Sequence, residues 1–232
     1  MGITGIIGAM DEEVALLKEK MEISDVVKRA SMEFCHGKLC GREAVVVMSG
    51  IGKVNAGICA QILVDVFHVT ELINTGIAGS LKNEINIGDI VVSSDAIQHD
   101  MDAVSFGYER GQIPRMATLS FPADPRLVEL AKKACAQVNP DISVFVGRIA
   151  SGDVFVADRG VKDEIASWTK GFCTEMEGAA IAQAAWLNKV PFVIIRAISD
   201  KADDSATMDY PEFEKQAIQH SVKLVERFVE LL

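Results

Sequence analysis

Phe192-Val193-Ile194-Ile195-Arg196-Ala197-Ile198-Ser199-Asp200 is the stretch on which the fold turns. Between Phe192 and Ile198 apolar residues run without alternation, broken only by Arg196. A strand of that kind is buried on both faces and belongs at the centre of a sheet covered by helices. Ser199-Asp200 then marks its polar end. Downstream, the charged and small residues from Lys201 to Asp209 read as a loop. After it Ile218, Val222, Val225, Val229 and Leu232 recur at helical spacing, a core stripe on a final helix.

Upstream, short apolar runs alternate with helical patterns. Strands are predicted over Ile3–Ala9, Glu71–Thr75, Asp89–Ser94, Ser143–Ala150 and Phe172–Glu175. Met32–Leu39 and Glu43–Ser49 flank Cys40-Gly41-Arg42, the signature of a hairpin. Helices are predicted over Asp11–Met21 (Val14, Leu17 and Met21 on one face), Val54–Val66, Asp124–Val138 and Glu177–Asn188. Pro125 suits the first turn of the third of these. Periodicity disappears only between Asp95 and Phe121. The order implies one α/β domain over residues 1–232, with a mixed, mostly parallel sheet between helices. Ligands of such sheets bind beyond the carboxyl ends of the strands, so the loops after Ala9, Ser49, Thr75, Ser94, Ala150, Thr174 and Ile198 matter most.

Composition narrows the partners. The 232 residues carry 23 Lys and Arg against 33 Asp and Glu, a net charge of −10, with a sequence pI near 4.9. Such a surface forfeits the counterion release that drives duplex binding and is repelled by anionic membranes. Neither nucleic acid nor membrane is expected as a partner. Five cysteines, none in a C-x-x-C pair, suggest reduced thiols in a cytoplasmic protein. Ile3–Met10 stops at Asp11-Glu12-Glu13 and reads as a strand, not a signal peptide. No window has the 18 or so uncharged apolar residues of a membrane span.

Phosphate motifs fail. Gly50-Ile51-Gly52-Lys53-Val54-Asn55 has Asn55 where a dinucleotide fingerprint needs its third glycine, and no G-x-x-x-x-G-K-[ST] spacing occurs. His99-Asp100-Met101-Asp102 is too short a cluster for a metal and reads as loop ordering. No metal and no cofactor is expected. The carboxylates say more. Asp11-Glu12-Glu13 could simply favour a helix N-terminus, and Thr174-Glu175-Met176-Glu177 fits a capping box in which Glu177 returns to the Thr174 amide. Yet both groups, together with Asp200 and the Gly-rich Thr75-Gly76-Ile77-Ala78-Gly79, fall at the ligand-binding edge of one sheet. Clustered carboxylates without an arginine cluster repel phosphate and suit a substrate that becomes cationic. A ribose gaining oxocarbenium character as its N-glycosidic bond breaks is such a substrate.

These segments carry a resemblance. Gly5-Ile6-Ile7-Gly8-Ala9-Met10-Asp11-Glu12-Glu13-Val14, Ser49–Ala56, Asn74–Gly79, Gly88–Ser93, Phe106-Gly107-Tyr108, Ser151-Gly152-Asp153, Glu175-Met176-Glu177 and Arg196–Asp200 resemble, in order, the bacterial 5′-methylthioadenosine/S-adenosylhomocysteine nucleosidases. The resemblance spans essentially the whole chain. It implies a three-layer α/β/α sandwich of the nucleoside phosphorylase-like kind, assembled as a homodimer. It also implies hydrolysis of methylthioadenosine and adenosylhomocysteine, with 5′-deoxyadenosine as a further substrate, to adenine and a 5-substituted ribose. The setting would be methionine salvage and recycling of the methyl cycle.

Residue by residue, the resemblance implies that Asp200 protonates adenine N7, oriented by Ser199, and that Glu13 activates the attacking water. Glu177 would bind the ribose hydroxyls, with Glu175 beside it. Met10 and Met176 would pack on the sugar, Arg196 would help place the water or form a buried ion pair, and Ile77 would lie near the ribose. Phe155 would stack on adenine and Val156 would bond its edge through the main chain. Ile51 and Tyr210 would form the 5′ slot, closed by Ala103, Phe106 and Pro114 of a second subunit. The sequence departs from that family at Ile77, usually serine, at Ser80, usually glycine, and at Ala103 and Tyr210, which reshape the slot. Rival readings are a purine-nucleoside phosphorylase, a futalosine-type nucleosidase and a non-catalytic nucleoside-binding module. The first would need arginines in the first loop and before the Gly-rich turn, where this chain has Asp11-Glu12-Glu13 and Asn74.

Overall fold

A computed structural model describes residues 2–203 and 205–232, and for residues 207–211 the backbone only. The chain runs β1 (Thr4–Gly8), α1 (Asp11–Glu19), β2 (Glu22–Arg29), β3 (Met32–Leu39), β4 (Arg42–Met48), α2 (Lys53–Phe67), β5 (Glu71–Ser80) and β6 (Ile90–Gln98). A 3-10 turn at Val104–Phe106 follows, then β7 (Phe121–Pro122), α3 (Pro125–Val138), β8 (Val144–Ser151) and α4 (Arg159–Thr169). The chain ends with β9 (Cys173–Glu175), α5 (Gly178–Asn188), β10 (Phe192–Asp200) and α6 (Ala206–Leu231).

All the strands join one mixed sheet. Its middle is parallel, with β1 between β4 and β5 and β10 beside β5. The predicted hairpin of β3 and β4 extends one side antiparallel, and β2 adds to β3 at the edge. The other side departs from an open sheet. β10 bonds both β5 and β6, while β6 continues through β8 and β9 back to β5, so five strands close into a ring. Helices cover both sides: α1, α3 and α6 pack together over one, α2 and α5 over the other.

The apolar runs explain the layering. Ile6, Ile7, Val45, Val46, Val47, Leu72, Ile73, Val193, Ile194 and Ile195 are fully buried, so the central strands carry the core on both faces. Each such side chain contributes about 1.5–3 kcal/mol relative to exposure. α3 begins as read from sequence: Pro125 opens it, and the Asp124 carboxylate accepts the Leu127 amide at 3.0 Å.

Besides the 3-10 turn and the two-residue β7, two elements lie outside the sequence reading. β2 is almost wholly exposed and pairs only with β3, so it lacks the apolar run that marks the other strands. α4 turns inward Lys162, Ile165 and Thr169, a face with a single aliphatic core residue. Several strands also run past their predicted ends. β5 continues through the Gly-rich turn to Ser80, β6 reaches Gln98 and β10 reaches Asp200. Ile77, Ser199 and Asp200 therefore sit on strands.

Candidate active site

The sheet ends converge on a cavity of about 270 Å³. From β1 and α1 come Met10 and Glu13, from β5 Ile77, and from the β9–α5 junction Glu175, Met176 and Glu177. β10 supplies Ser199 and Asp200, Ile51 comes from the turn before α2, and Phe155, half-exposed, from the loop after β8. Val156 is buried against a smaller adjoining hollow shared with Phe155, Met176 and Asp200.

Glu13 is held on three amides. Its Oε2 accepts the N–H groups of Ala9 (2.6 Å) and Met10 (3.1 Å), and Oε1 accepts that of Ile77 (3.1 Å). The carboxylate thus caps its own helix, the structural role foreseen for this acidic turn, while lining the cavity. Burial raises its pKa, against the opposing pull of Arg196 and the three amides. Gly76 makes this packing possible: a Cβ there would lie 2.5 Å from Glu13 Oε1 and 2.9 Å from Arg196 Nη1.

Glu175 and Glu177 differ in role. The capping box read for Glu177 does not form. Instead the Glu175 Oε2 accepts the amides of Glu177 (3.1 Å) and Gly178 (2.8 Å) and so caps α5. Ser151 donates to the other Glu175 oxygen, and Arg196 pairs with Oε2. The helix starts after Glu177, too late for the predicted spacing, which frees the Glu177 side chain. Glu177 instead accepts the Gly52 amide at 2.8 Å, across from α2, and stands 4.0 Å from Arg196 Nη2. Burial, reinforced by the charge of Glu175, pushes the Glu177 pKa up to about 7. Burial also opposes ionisation of Glu175, but Arg196, Ser151 and the Gly178 amide outweigh it and hold that carboxyl below the usual range.

Arg196 sits behind the cavity, fully buried, donating to Asn74 Oδ1 at 2.6 Å and to Glu175. Of the two roles open to it, the buried ion pair is the one its contacts form. Ser199 and Asp200 are neighbours in a strand, yet both line the cavity. A register shift between Ile198 and Asp200 breaks the alternation that would send them to opposite faces. Asp200 Oδ2 accepts the Ser199 hydroxyl at 2.9 Å, and Oδ1 accepts the Ala202 amide at 2.7 Å.

Other predicted residues lie elsewhere. Phe106 is 85% exposed in the 3-10 turn, Pro114 is exposed, and neither lines this cavity. Ala103 is only 7% exposed within its own chain, so it has little surface to offer a second subunit. The Tyr210 side chain lies outside the described residues. Ser80 spends its hydroxyl on the Lys82 carbonyl (2.7 Å), away from the site. Sequence reasoning missed the supports: Asn74, Ser151 and the Gly52 amide all lie within the motifs, but nothing in their spacing reveals what they hold. Among the described residues no group of three or more candidate ligands could hold a metal ion. Asp100 pairs with Lys53, and Asp102 accepts the Val104 amide, which orders that loop.

The geometry has counterparts. Residues 3–230 match the Phosphorylase superfamily. The chain is 40% identical over 231 residues to the 5′-methylthioadenosine/S-adenosylhomocysteine nucleosidase of Bacillus thuringiensis, covering 98% of both. It superposes with a TM-score of 0.96 on the Neisseria meningitidis nucleosidase of the same name in complex with methylthio-immucillin-A, at 38% identity and 100% coverage of both. It also resembles the futalosine hydrolase of Helicobacter pylori, with a TM-score of 0.94 and 31% identity, over 100% of this chain and 98% of that one. By these matches over nearly its whole length, the chain belongs to the phosphorylase superfamily and, within it, to the 5′-methylthioadenosine/S-adenosylhomocysteine nucleosidases.

Proposed function

We propose that the protein hydrolyses the N-glycosidic bond of 5′-methylthioadenosine and S-adenosylhomocysteine, and also of 5′-deoxyadenosine, releasing adenine and a 5-substituted ribose. One observation carries this reading. Glu13, Glu175, Glu177 and Asp200 line the cavity, while no lysine or arginine does among the described residues, and the nearby Arg196 is committed to Glu175 and Asn74. Such a site disfavours an anionic nucleophile and favours a sugar ring gaining positive charge. Water is then the nucleophile, which argues against a phosphorylase. A mere binding module would have no use for a buried carboxyl held by Ser199 and the Ala202 amide.

In this mechanism Asp200 delivers a proton to adenine N7, and the Ser199 hydroxyl orients its carboxyl. As the bond to C1′ lengthens, the sugar charge grows among the carboxylates, and Glu13 takes a proton from the attacking water. Its burial raises its basicity for that task. Glu177 accepts the ribose hydroxyls, positioned by the Gly52 amide, and Met10 and Met176 supply polarisable thioether contacts to the ring. Phe155 stacks on the base, and Val156 bonds its edge through the main chain. Ile51 receives the 5′ group.

The exposed Phe106 and Pro114, with the outward Ile51, support a homodimer in which a second copy narrows the slot. Unpaired thiols at all five cysteines support a reducing, cytoplasmic setting, and no described helix is long and apolar enough to cross a membrane. The test is adenine release from methylthioadenosine with and without phosphate. Release independent of phosphate is expected. A requirement for phosphate, or cleavage of futalosine in preference, overturns the reading.

A further inference from the structure

Two segments that line the cavity, at Ile51 and Phe155, and a third linked to them belong to different parts of the chain. Ile51 and Gly52 precede α2, Phe155 follows β8, and Gln98 to Asp100 lead out of β6. No backbone ladder fixes the first against the second. A closed cycle of polar contacts does. The Lys53 amide donates to Asp153 Oδ1 (2.8 Å), the Asp153 amide donates to Asp100 Oδ2 (2.9 Å), and Lys53 Nζ donates to Asp100 Oδ1 (2.5 Å). Lys53 Nζ also donates to Gln98 Oε1 at 3.1 Å, and Gln98 donates on to Gln183 of α5 at 2.7 Å. The ammonium and the Asp100 carboxylate are mostly shielded, at 17% and 24% exposure, so the pair is stronger than a surface one.

The cycle's neighbours are the substrate-facing groups. The residue before Lys53 donates its amide to Glu177, and Phe155 lies two residues past Asp153. Gly52 sits at φ 96° with Asp153 Oδ1 only 3.1 Å from where its Cβ would be, so the turn is fitted to that carboxylate. Glu13 and Asp200 are held by other amides and receive nothing from the cycle.

We propose that Lys53 is a positioning residue. Through Asp100 and Asp153 it sets the span between the Ile51–Gly52 turn and Phe155, and so the grip on the nucleoside, without touching the reacting atoms. The inference rests on the function proposed above. It predicts separable effects: substrate affinity depends on the cycle, and bond cleavage does not.

The test compares wild type with Lys53→Met, Asp100→Ala, the double variant and Lys53→Arg, using methylthioadenosine turnover and amide hydrogen exchange. Lys53→Met is expected to raise KM about tenfold, a loss of about 1.4 kcal/mol of substrate binding. Its kcat should stay within about threefold, the mark of lost uniform binding. Asp100→Ala should match it, the double variant should be no worse than either single, and Lys53→Arg should recover most of the affinity. Exchange should quicken together at residues 51–53 and 152–156, but not at 9–14 or 199–202. An unchanged KM, a fall in kcat with KM held, additive losses in the double variant or uncoupled exchange overturns the proposal. The exchange pattern decides for the cycle even if wild type releases no adenine, an outcome that overturns the functional reading instead.

Discussion

Glu175→Gln removes one negative charge from the most buried ion pair of the site while keeping the shape of the side chain. The pair's side chains are 1% (Arg196) and 3% (Glu175) exposed, and the carboxylate is also shared with Ser151 and the amides of Glu177 and Gly178. Breaking a buried pair by neutralising one partner costs about 3–5 kcal/mol, because the remaining charge stays desolvated. For a chain of this size each kcal/mol lowers Tm by about 2–4 °C, so a fall of about 6–20 °C is expected. Glu177, 4.0 Å from the guanidinium, becomes a nearer counterion and places the result toward the lower end. The same change acts on titration. The charge of Glu175 is the second cause, after burial, of the Glu177 pKa near 7. Removing a neighbouring anion favours ionisation, so the acid limb of kcat/KM should move to lower pH. Thermal denaturation and a pH profile of adenine release measure both. A Tm equal to wild type, or an acid limb that stays put, refutes the coupling.

Asp200→Asn should lose about 10²–10⁴-fold in turnover while still binding adenine nucleosides, because the amide cannot supply the proton; undiminished turnover removes Asp200 from its role. Gly76→Ala should depress kcat more than Tm, since the new methyl meets Glu13 Oε1 at 2.5 Å, and a variant with normal kcat would show that Glu13 tolerates displacement. Glu177 has a folded pKa near 7 against about 4.3 when unfolded, so the folded chain binds the extra proton across that interval. Wild-type stability from this group therefore falls as pH rises from about 4.3 through 7, and Glu177→Gln should be spared that loss. Denaturation at either end of the interval checks it: the variant should gain on wild type only at the alkaline end.

Periodicity was sufficient for most of the architecture because the central strands are apolar on both faces, as the run from Phe192 to Ile198 announces. It was insufficient where burial is slight. β2 exposes nearly all its side chains, and α4 places Lys162 inward, its ammonium donating to the Lys201 carbonyl at 2.6 Å. The ring closure was also hidden, since sequence order does not say that β9 bonds both β5 and β8. At the site, residue types pointed to the carboxylates and their common edge. They assigned the cap to Glu177, because Thr174 and Glu177 stand at capping-box spacing, whereas Glu175 forms it. Only the start of α5 after Glu177 decides which side chain supports the helix and which turns to the cavity.

Around Arg196, β10 is laddered on both flanks, to β5 and to β6, so that residue rides on a beam clamped along both margins, while Asp200 pairs with Gly79 of β5. Shifting the Arg196 backbone would mean tearing two rows of bonds at once. The amides of Gly52, Lys53 and Asp153 are instead tied to side-chain carboxylates, which can be retuned one substitution at a time. New leaving-group partners or bulkier 5′ tails are therefore most readily accommodated by edits at the rim, leaving the proton-transfer apparatus unmoved.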